Sequence, residues 1–351
     1  MKTSLFRSGG KFYKCCLHTH SSVSDGDLSP EEVKKAYMAK GYSAGAFSDH
    51  EVLVPHEDLL DETFVPLTAI ELEFVDTWTK APFSVLPVYH IVCIASRINE
   101  TYYPWATRSM TWGNAVNYLQ DYCQGEHSRY PDYRNVNYAA ADAEEHGFLV
   151  TYCHPGWSIN HYPDYCNLEH IHFIEVCNGG YYTGRSTDFT DHHFEDFLSL
   201  GKPCAPTFSD DGHHLEDVGF GATYVKADAL TYPAIFDALK KGDCYGSNGP
   251  TFEDIAFDPE TGILTVDCEG AEVVSVTTDV RNKWSKGRRF TGSVVTNAEF
   301  DLSKYIRTAR EQGLLDKAYF RVNLFSADGR VAYSRGYFLK EFFPEEAKAE
   351  A

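Results

Sequence analysis

The sequence has no uninterrupted apolar run of about 18 residues, the length that a membrane-spanning helix needs. Its first residues, MKTSLFRSGGKFYKCC, lack the apolar core of a secretory signal. No Cys-x-x-Cys pair occurs among the ten cysteines, so their spacing indicates neither a zinc ribbon nor a disulfide framework. These absences predict a cytoplasmic protein without a membrane partner.

Basic residues are scarce relative to acidic ones. The 31 Lys and Arg against 51 Asp and Glu give a formal charge of -20. A protein that binds nucleic acid by counterion release needs the opposite sign, so nucleic acid is disfavoured as a partner. An anionic substrate stays open, because bound metal ions can invert the local field. The apolar content of 43% excludes a disordered chain.

Histidine is absent after His214, although the chain runs to residue 351 and contains 15 histidines. The histidine-rich part alternates strand-like and helix-like segments. One helix start is marked by Ser29 as N-cap, Pro30 as first helical residue and Glu32 closing a capping box. This alternation favours a parallel α/β fold, most simply a barrel. The predicted strands cover 11–20, 43–50, 64–74, 87–96, 147–155, 172–180 and 202–214.

The pattern changes after GSNGP (246–250). Short alternating runs separated by Gly, Asn and Asp predict a small antiparallel β-sandwich, including an Asp-Gly hairpin in SADGRVAY. We therefore expect two domains with separate cores, a hydrolase barrel over 1–250 and a sandwich of unknown role over 251–351.

Residues that bind metals occur on nearly every predicted strand, mostly near the carboxyl end. His18 and His20 are two apart on one strand, so both imidazoles share a face and can reach one ion. Active sites of parallel barrels lie at the carboxyl ends of the strands. The ligands offer nitrogen and oxygen without thiolate, which suits Zn, Mn or Fe. The set is too large for one ion and predicts two or three divalent ions. Its nine members are His18, His20, Asp25, His50, Glu71, His90, His154, Asp211 and His213.

These residues lie in strings that resemble the PHP (polymerase and histidinol phosphatase) family of metal-dependent phosphoesterases. The resemblance covers roughly residues 11–250. The matching strings are LHTHSSVSDG (17–26), FSDHE (47–51), AIELEF (69–74), YHIVCIAS (89–96), CHPGW (153–157), FIEVCNG (173–179) and SDDGHH (209–214).

The resemblance implies a distorted seven-stranded β/α barrel with two or three metals, in which Glu71 bridges two ions. It implies three ligand sets: His18, His20, Glu71 and Asp211; Glu71, His90 and His154; and Asp25, His50 and His213. Asp210 precedes the matching D-x-H string and is a candidate to support a ligand. Glu175 is expected either to line the cleft or to orient a ligand histidine.

The implied activity is hydrolysis of a small phosphorylated metabolite or nucleotide by a metal-bound hydroxide. Arg185 is a candidate phosphate clamp, although a solvated loop arginine fits equally well. Three alternatives stay open: a 3'-5' exonuclease on single-stranded nucleic acid, a C–N hydrolase like the amidohydrolases, and a non-catalytic metal-bound scaffold. The sequence predicts neither the leaving group nor the oligomeric state.

Two further segments carry weaker expectations. The insertion 97–134 follows the strand of His90, so we expect it to emerge on the catalytic face and narrow the cleft. Its aromatic residues are expected mainly to pack the insertion, with a stacking wall as the alternative: Tyr102, Tyr103, Trp105 and Trp112. The basic stretch 281–290 is expected to be a solvated hairpin rather than a nucleic-acid contact.

Overall fold

A computed structural model describes residues 2–7, 9–76, 85–119, 125–180, 189–281 and 284–350. The strands are β1 (Thr3–Ser4), β2 (Lys11–Thr19), β3 (Ala44–Phe47), β4 (Val65–Phe74), β5 (Tyr89–Ile94), β6 (Leu149–Tyr152), β7 (Phe173–Asn178), β8 (Ala205–Ser209), β9 (Ala222–Ala227), β10 (Cys244–Ser247), β11 (Thr251–Asp258), β12 (Ile263–Ala271), β13 (Val273–Thr278), β14 (Trp284–Gly287), β15 (Val295–Asp301), β16 (Tyr319–Phe325), β17 (Val331–Ser334) and β18 (Tyr337–Phe338). The α-helices are α1 (Pro30–Ala39), α2 (Tyr133–Glu145), α3 (Tyr162–Tyr165), α4 (Asp191–Ser199), α5 (Tyr232–Lys241), α6 (Ser303–Glu311) and α7 (Pro344–Glu350). None of the described helices is long and apolar enough to cross a membrane.

The first helix begins where its capping residues predict. Ser29 Oγ accepts a hydrogen bond from the Glu32 N–H at 3.3 Å, and the Glu32 carboxylate accepts one from the Ser29 N–H at 2.9 Å. Pro30 is the first helical residue. Gly41 follows the helix with φ of 80°, a left-handed conformation that favours glycine. The helix thus sets the length of the connection between β2 and β3.

Strands β2 to β8 are neighbours in chain order within one large mixed sheet. β2, β3 and β4 pair in parallel, as do β6, β7 and β8. A parallel bridge between Thr19 and Gly212 brings the carboxyl end of β2 beside the segment that follows β8. The predicted α/β class is confirmed, with a second sheet, whereas the exact seven-stranded barrel and the sandwich stay predictions.

The expectation of parallel strands throughout is wrong for β5, which pairs antiparallel with both β4 and β6. A parallel crossover usually carries a helix, whereas the sequence between Phe74 and Tyr89 has two prolines and no helical periodicity. The reversal has a consequence for the site. His90 is the second residue of β5, and reversal places it at the same edge as the carboxyl ends of the parallel strands.

The large sheet continues past β2 into the C-terminal residues. β9 pairs antiparallel with β2 and β10, and β10 pairs antiparallel with β17. The path then runs through β16 and β13 to β14. A second, antiparallel sheet has the order β1-β11-β12-β15. The sequence pattern does not predict β9 and β10, because both strands are short and the periodic helix between them dominates the pattern.

The expectation of separate cores is wrong. Tyr319, Val331 and Tyr333 pack in the same apolar cluster as Phe208 of β8. In the other direction, Leu5 and Phe6 pack among the C-terminal strands. The cause is the β10–β17 pairing, which makes part of GSNGP a strand with buried residues instead of an exposed linker. The division into 1–250 and 251–351 stays a prediction.

Candidate metal centre

Nine predicted ligands come together at one edge of the large sheet. Seven of them line a cavity of about 420 Å³: Asp25, His50, Glu71, His90, His154, Asp211 and His213. The remaining two, His18 and His20, are buried and contact Glu71 and Asp211. The geometry therefore gathers residues from six strands and the segments that follow them.

Four ligand atoms form a compact group. His18 Nε2 and His20 Nε2 lie 3.2 Å apart, at 3.3 and 3.1 Å from Glu71 Oε2. Asp211 Oδ1 lies 3.2 Å from the first nitrogen and 3.0 Å from the second. Donors held tetrahedrally at about 2.0–2.1 Å from one ion would be separated by roughly 3.3 Å. The spacing of these atoms therefore fits a single transition-metal ion.

The two oxygens of the Glu71 carboxylate face different groups of side chains. Oε2 faces the compact group, while Oε1 lies 2.9 Å from His90 Nδ1 and 3.2 Å from His154 Nε2. His50 Nδ1 also approaches Oε2, at 3.4 Å. A carboxylate with ligands at both oxygens has the arrangement that a bridge between two ions requires.

A further group surrounds Asp25. Its oxygens lie 3.3 Å from His20 Nδ1, 3.2 Å from His213 Nε2 and 3.8 Å from His50 Nε2. His20 therefore offers one nitrogen to the compact group and the other to the Asp25 group, which the implied ligand sets did not include. His50 likewise approaches Glu71 and His90 as well as Asp25. The assignment of ligands to individual ions stays a proposal.

Several buried polar atoms in this cluster make no hydrogen bond. They are His20 Nδ1, His50 Nδ1, His90 Nε2 and Asp211 Oδ1. Carboxylate and imidazole atoms lie close to three of them, but without the angles of a hydrogen bond. An unsatisfied buried polar group costs free energy that a bound cation would recover. The residues present therefore fit divalent ions.

The charges of the cluster are strongly interdependent. Burial alone would lower the pKa of the His18 and His20 imidazoles, but Asp211 and Glu71 raise it well above its ordinary value. Burial likewise opposes the Glu71 and Glu73 carboxylates that raise the pKa of His50 to about 9. Conversely, His18 and His50 hold the pKa of Glu71 well below its ordinary value despite burial. Without ions, protonated imidazoles balance the carboxylates.

Glu175 contacts the predicted ligand His18, as the second of its two expected roles requires. Its Oε1 lies 3.1 Å from His18 Nδ1, so that the Nε2 of the same ring faces the compact group. Its Oε2 accepts hydrogen bonds from the His154 N–H at 2.8 Å and from Asn178 Nδ2 at 3.0 Å. Asn178 also donates to Asp211 Oδ2 at 3.0 Å. Such partners fix the ring orientation of metal-binding histidines.

Two aspartates that neighbour the predicted ligands in sequence accept hydrogen bonds from backbone N–H groups and not from the ligand side chains described above. Asp210 accepts hydrogen bonds from the N–H groups of residues 219–221, at 2.6 to 2.9 Å. Its carboxylate is therefore committed to that loop, and burial raises its pKa to about 6. Asp49 accepts from the N–H groups of Ser21 and Ser24, and so shapes the loop that carries Asp25.

Three residues at the site have left-handed backbone conformations without being glycine. Their φ angles are 26° for His154, 48° for Asp211 and 55° for Glu51. Each costs about 1–3 kcal/mol, and such strain is concentrated at functional sites. Two of the three are predicted ligands.

The insertion reaches the site by a different path from the one predicted. Because β5 is reversed, its carboxyl end lies away from the ligands, so the insertion leaves from the opposite edge and returns. Trp112 then lies over His50, with ring centroids 5.4 Å apart. The other aromatics pack, since Tyr102 stacks on His146, Trp105 stacks on His127 and Tyr103 is buried. Arg185, the predicted phosphate clamp, lies outside the described residues.

A buried ion pair connects the insertion to the metal centre. The two terminal guanidinium nitrogens of Arg129, Nη1 and Nη2, donate to the Glu51 carboxylate at 3.1 and 2.9 Å. Arg129 also donates to the Glu73 carbonyl at 3.1 Å, and Glu51 accepts the Glu73 N–H at 2.7 Å. The Glu51 N–H in turn donates to the Glu71 carbonyl. The sequence pattern does not predict this pair, because nothing in it links residues so far apart.

A larger cleft, of about 720 Å³, contains none of the predicted ligands. Most of its basic residues already have protein partners. Arg335 and Arg7 bind Glu341, and Lys202 donates to the carbonyls of Cys166 and Leu168. Size alone therefore does not identify the functional cavity.

No family model and no curated protein matches the sequence. Several solved structures are similar to the chain at low identity. A two-domain protein containing a predicted PHP-like metal-dependent phosphoesterase from Bacteroides vulgatus ATCC 8482 is 13% identical, over 94% of this chain and 98% of that one, with a TM-score of 0.40.

Two other solved structures are similar over 65% of this chain. An amidohydrolase from Chromobacterium violaceum is 15% identical and covered over 96% of its length, with a TM-score of 0.39. A lesion-specific endonuclease from Pyrococcus furiosus is 16% identical and covered over 56%, with a TM-score of 0.37. All three TM-scores lie below 0.5, so these similarities decide neither reaction nor substrate.

We predict that Arg129→Met lowers the free energy of unfolding by about 3–5 kcal/mol, because it leaves the Glu51 carboxylate buried without a cation. Burial already raises the pKa of Glu51 to about 7 against the opposing effect of Arg129. The folded variant therefore favours a protonated Glu51, and its deficit should be smaller at about pH 5 than at about pH 8. Urea unfolding measures both effects. Arg129→Met/Glu51→Gln is the matched control and should recover part of the loss; a single variant as stable as wild type would contradict the assigned role.

We also predict that metal binding releases protons near neutral pH. Imidazoles bind metal only when neutral, whereas the carboxylates keep His18, His20 and His50 protonated in the metal-free site. Titration calorimetry with Zn²⁺ or Mn²⁺ in two buffers of different ionisation enthalpy gives the number of protons released. Metal binding without proton release would show that the imidazoles are already neutral.

Proposed function

We propose that the chain is a metal-dependent phosphoesterase of the PHP family that hydrolyses a small phosphorylated metabolite or nucleotide. One observation carries the proposal: four ligand atoms are arranged for one ion, and the Glu71 carboxylate extends from them to a second group of imidazoles. We propose two or three divalent ions, Zn, Mn or Fe, held by the nine predicted ligands. The free thiols of the described cysteines fit the predicted cytoplasmic location.

Divalent ions at such a centre lower the pKa of a bound water and neutralise charge on phosphoryl oxygens. The protein's part is to hold the ligands in place before substrate arrives. His18 is fixed by Glu175, and the Asp25 loop is fixed by Asp49. Bound ions would outweigh the charges of Asp25, Glu71 and Asp211, and so attract a phosphate to an otherwise acidic chain.

The cavity favours a small ester over a polymer. Its volume of about 420 Å³ falls within the range of small-molecule sites. Trp112 and Trp157 line it together with the ligands. The net charge of -20 would repel the part of a long polyanion that extends beyond the ions, within a Debye length of about 8 Å.

Glu71→Gln is expected to abolish hydrolysis while preserving the fold. The amide has nearly the same shape but lacks the charge that would hold two ions together, so we expect fewer bound ions and a rate at least about 100-fold lower, since even a residue that only orients a ligand costs about 10–100-fold. Mass spectrometry of bound metal and a phosphatase assay measure the two effects. Glu272→Gln, another buried carboxylate, which binds N–H groups of a C-terminal hairpin, is the control. Full metal content with normal turnover in Glu71→Gln would refute the bridging role.

The reaction class is tested by a substrate panel at one salt concentration. We expect kcat/KM for p-nitrophenyl phosphate or nucleoside phosphates to exceed that for labelled single-stranded DNA and for amides, with loss of activity in EDTA. A DNA rate far above every small ester would establish the nuclease instead. Amide hydrolysis alone would establish the C–N hydrolase, and no turnover with bound metal would favour the scaffold.

A further inference from the structure

The cavity around the ligands has two unlike walls. One wall carries aromatic rings in succession, since Trp112 lies 5.4 Å from His50, His50 lies 5.7 Å from His90, and His90 lies 5.2 Å from Trp157, measured between ring centroids. Other lining residues are polar or acidic and include Asp25, Asp211, His213, His214 and Asp217. The two indoles are therefore placed beside the metal ligands and not in the protein core.

Trp112 is held firmly although 43% of it is exposed. Its Nε1 donates to Glu73 Oε1 at 3.1 Å. The short 3-10 helix that follows is anchored by Ala115, which is fully buried against Val23 and Val52. The neighbouring Asn114 donates to the Ser22 carbonyl at 3.2 Å. An exposed indole fixed on both sides at a cavity provides a flat surface at little entropic cost.

Trp157 occupies the other end of the aromatic wall. Its ring meets His154 edge-on at 4.9 Å and His90 at 5.2 Å. The turn that carries it is closed by the Ser158 N–H, which donates to the His154 carbonyl at 3.0 Å. The same turn positions a predicted ligand and an indole, so the position of Trp157 relative to the metal centre is fixed by the backbone.

We propose that this wall is a subsite for the leaving group, and that the substrate is a phosphate ester whose alcohol carries a flat aromatic ring, of which a nucleoside is the biological class. The inference rests on the proposed function and specifies its substrate. Metal binding does not explain why the exposed indole of Trp112 is fixed at the mouth of a polar cavity. Stacking with a ring of the substrate does explain it. Packing explains Trp105, Tyr102 and Tyr103 of the same insertion, but it does not explain Trp112.

The test compares two esters that differ only in aromaticity. Benzyl phosphate and cyclohexylmethyl phosphate have leaving groups of similar size, both primary alcohols, so the ratio of their kcat/KM values reports stacking and not leaving-group chemistry. Adenosine 5'-monophosphate and ribose 5-phosphate form a second pair that differs by the base. Each is assayed with metal content measured.

The variants test whether the aromatic ring of Trp112, and not only its volume, determines the preference between the two esters. Trp112→Leu should lower the benzyl-to-cyclohexylmethyl ratio about tenfold, which corresponds to about 1.4 kcal/mol. Trp112→Phe should keep most of the ratio, and Trp157→Leu should lower it in the same direction. Trp105→Leu removes an indole of the same insertion that stacks on His127 away from the cavity, and should leave the ratio unchanged. Thermal unfolding checks that each variant is folded.

The outcomes distinguish this inference from the proposed function. Hydrolysis of both esters with equal ratios in wild type and Trp112→Leu would overturn the aromatic subsite and leave the phosphoesterase intact. An equal fall for both esters would mean that Trp112 only supports Glu73 and His50, which also overturns it. No hydrolysis of any ester, with metals bound, would overturn the proposed function and the subsite together.

Discussion

The buried carboxylate of Glu71 is the constraint on which the site depends. Its side chain is 1% exposed, and imidazoles of His18, His20, His50, His90 and His154 lie within 3.4 Å of its two oxygens. An isolated charge at this depth would cost several kcal/mol, so the surrounding positive charge is a requirement of the fold as well as of the chemistry. Where no ion is bound, the raised pKa values of His18, His20 and His50 favour protons on those three imidazoles, whereas burial lowers the pKa of His90. Divalent ions would replace the protons in the same space.

The backbone around Glu71 is arranged to keep this carboxylate in place. The Glu71 N–H donates to the Asp49 carbonyl, and its own carbonyl accepts from Glu51. Glu51 stands in a left-handed conformation, and its side chain is neutralised by Arg129. A residue with a strained backbone thus forms a buried ion pair with a distant segment. We therefore expect a change at Arg129 to reach the predicted ligands through the hydrogen bonds that connect Glu51 to Glu71.

The sequence predicted which side chains lie together at the cavity better than it predicted the architecture around them. Ligand types at strand ends, and the i, i+2 spacing of His18 and His20, follow from local pattern alone. The capping box at Ser29 is equally local and was predicted to the residue. By contrast, the reversal of β5, the pairing of β10 with β17 and the Arg129–Glu51 pair depend on contacts between residues far apart in the chain. Periodicity contains no information about such contacts.

The same distinction explains where the metal ligands and the proposed substrate contacts lie. Most of the ligands are on strands or within a few residues of them, where backbone pairing fixes atoms to the precision that a metal requires. Trp112 lies instead on an irregular insertion that crosses from the far edge of the sheet and is attached at the site by Ala115 and Asn114. Insertions tolerate sequence change better than paired strands do. If the proposed subsite is right, a substitution in the insertion would therefore alter which leaving group is accepted, while the strands keep the predicted ligands in place.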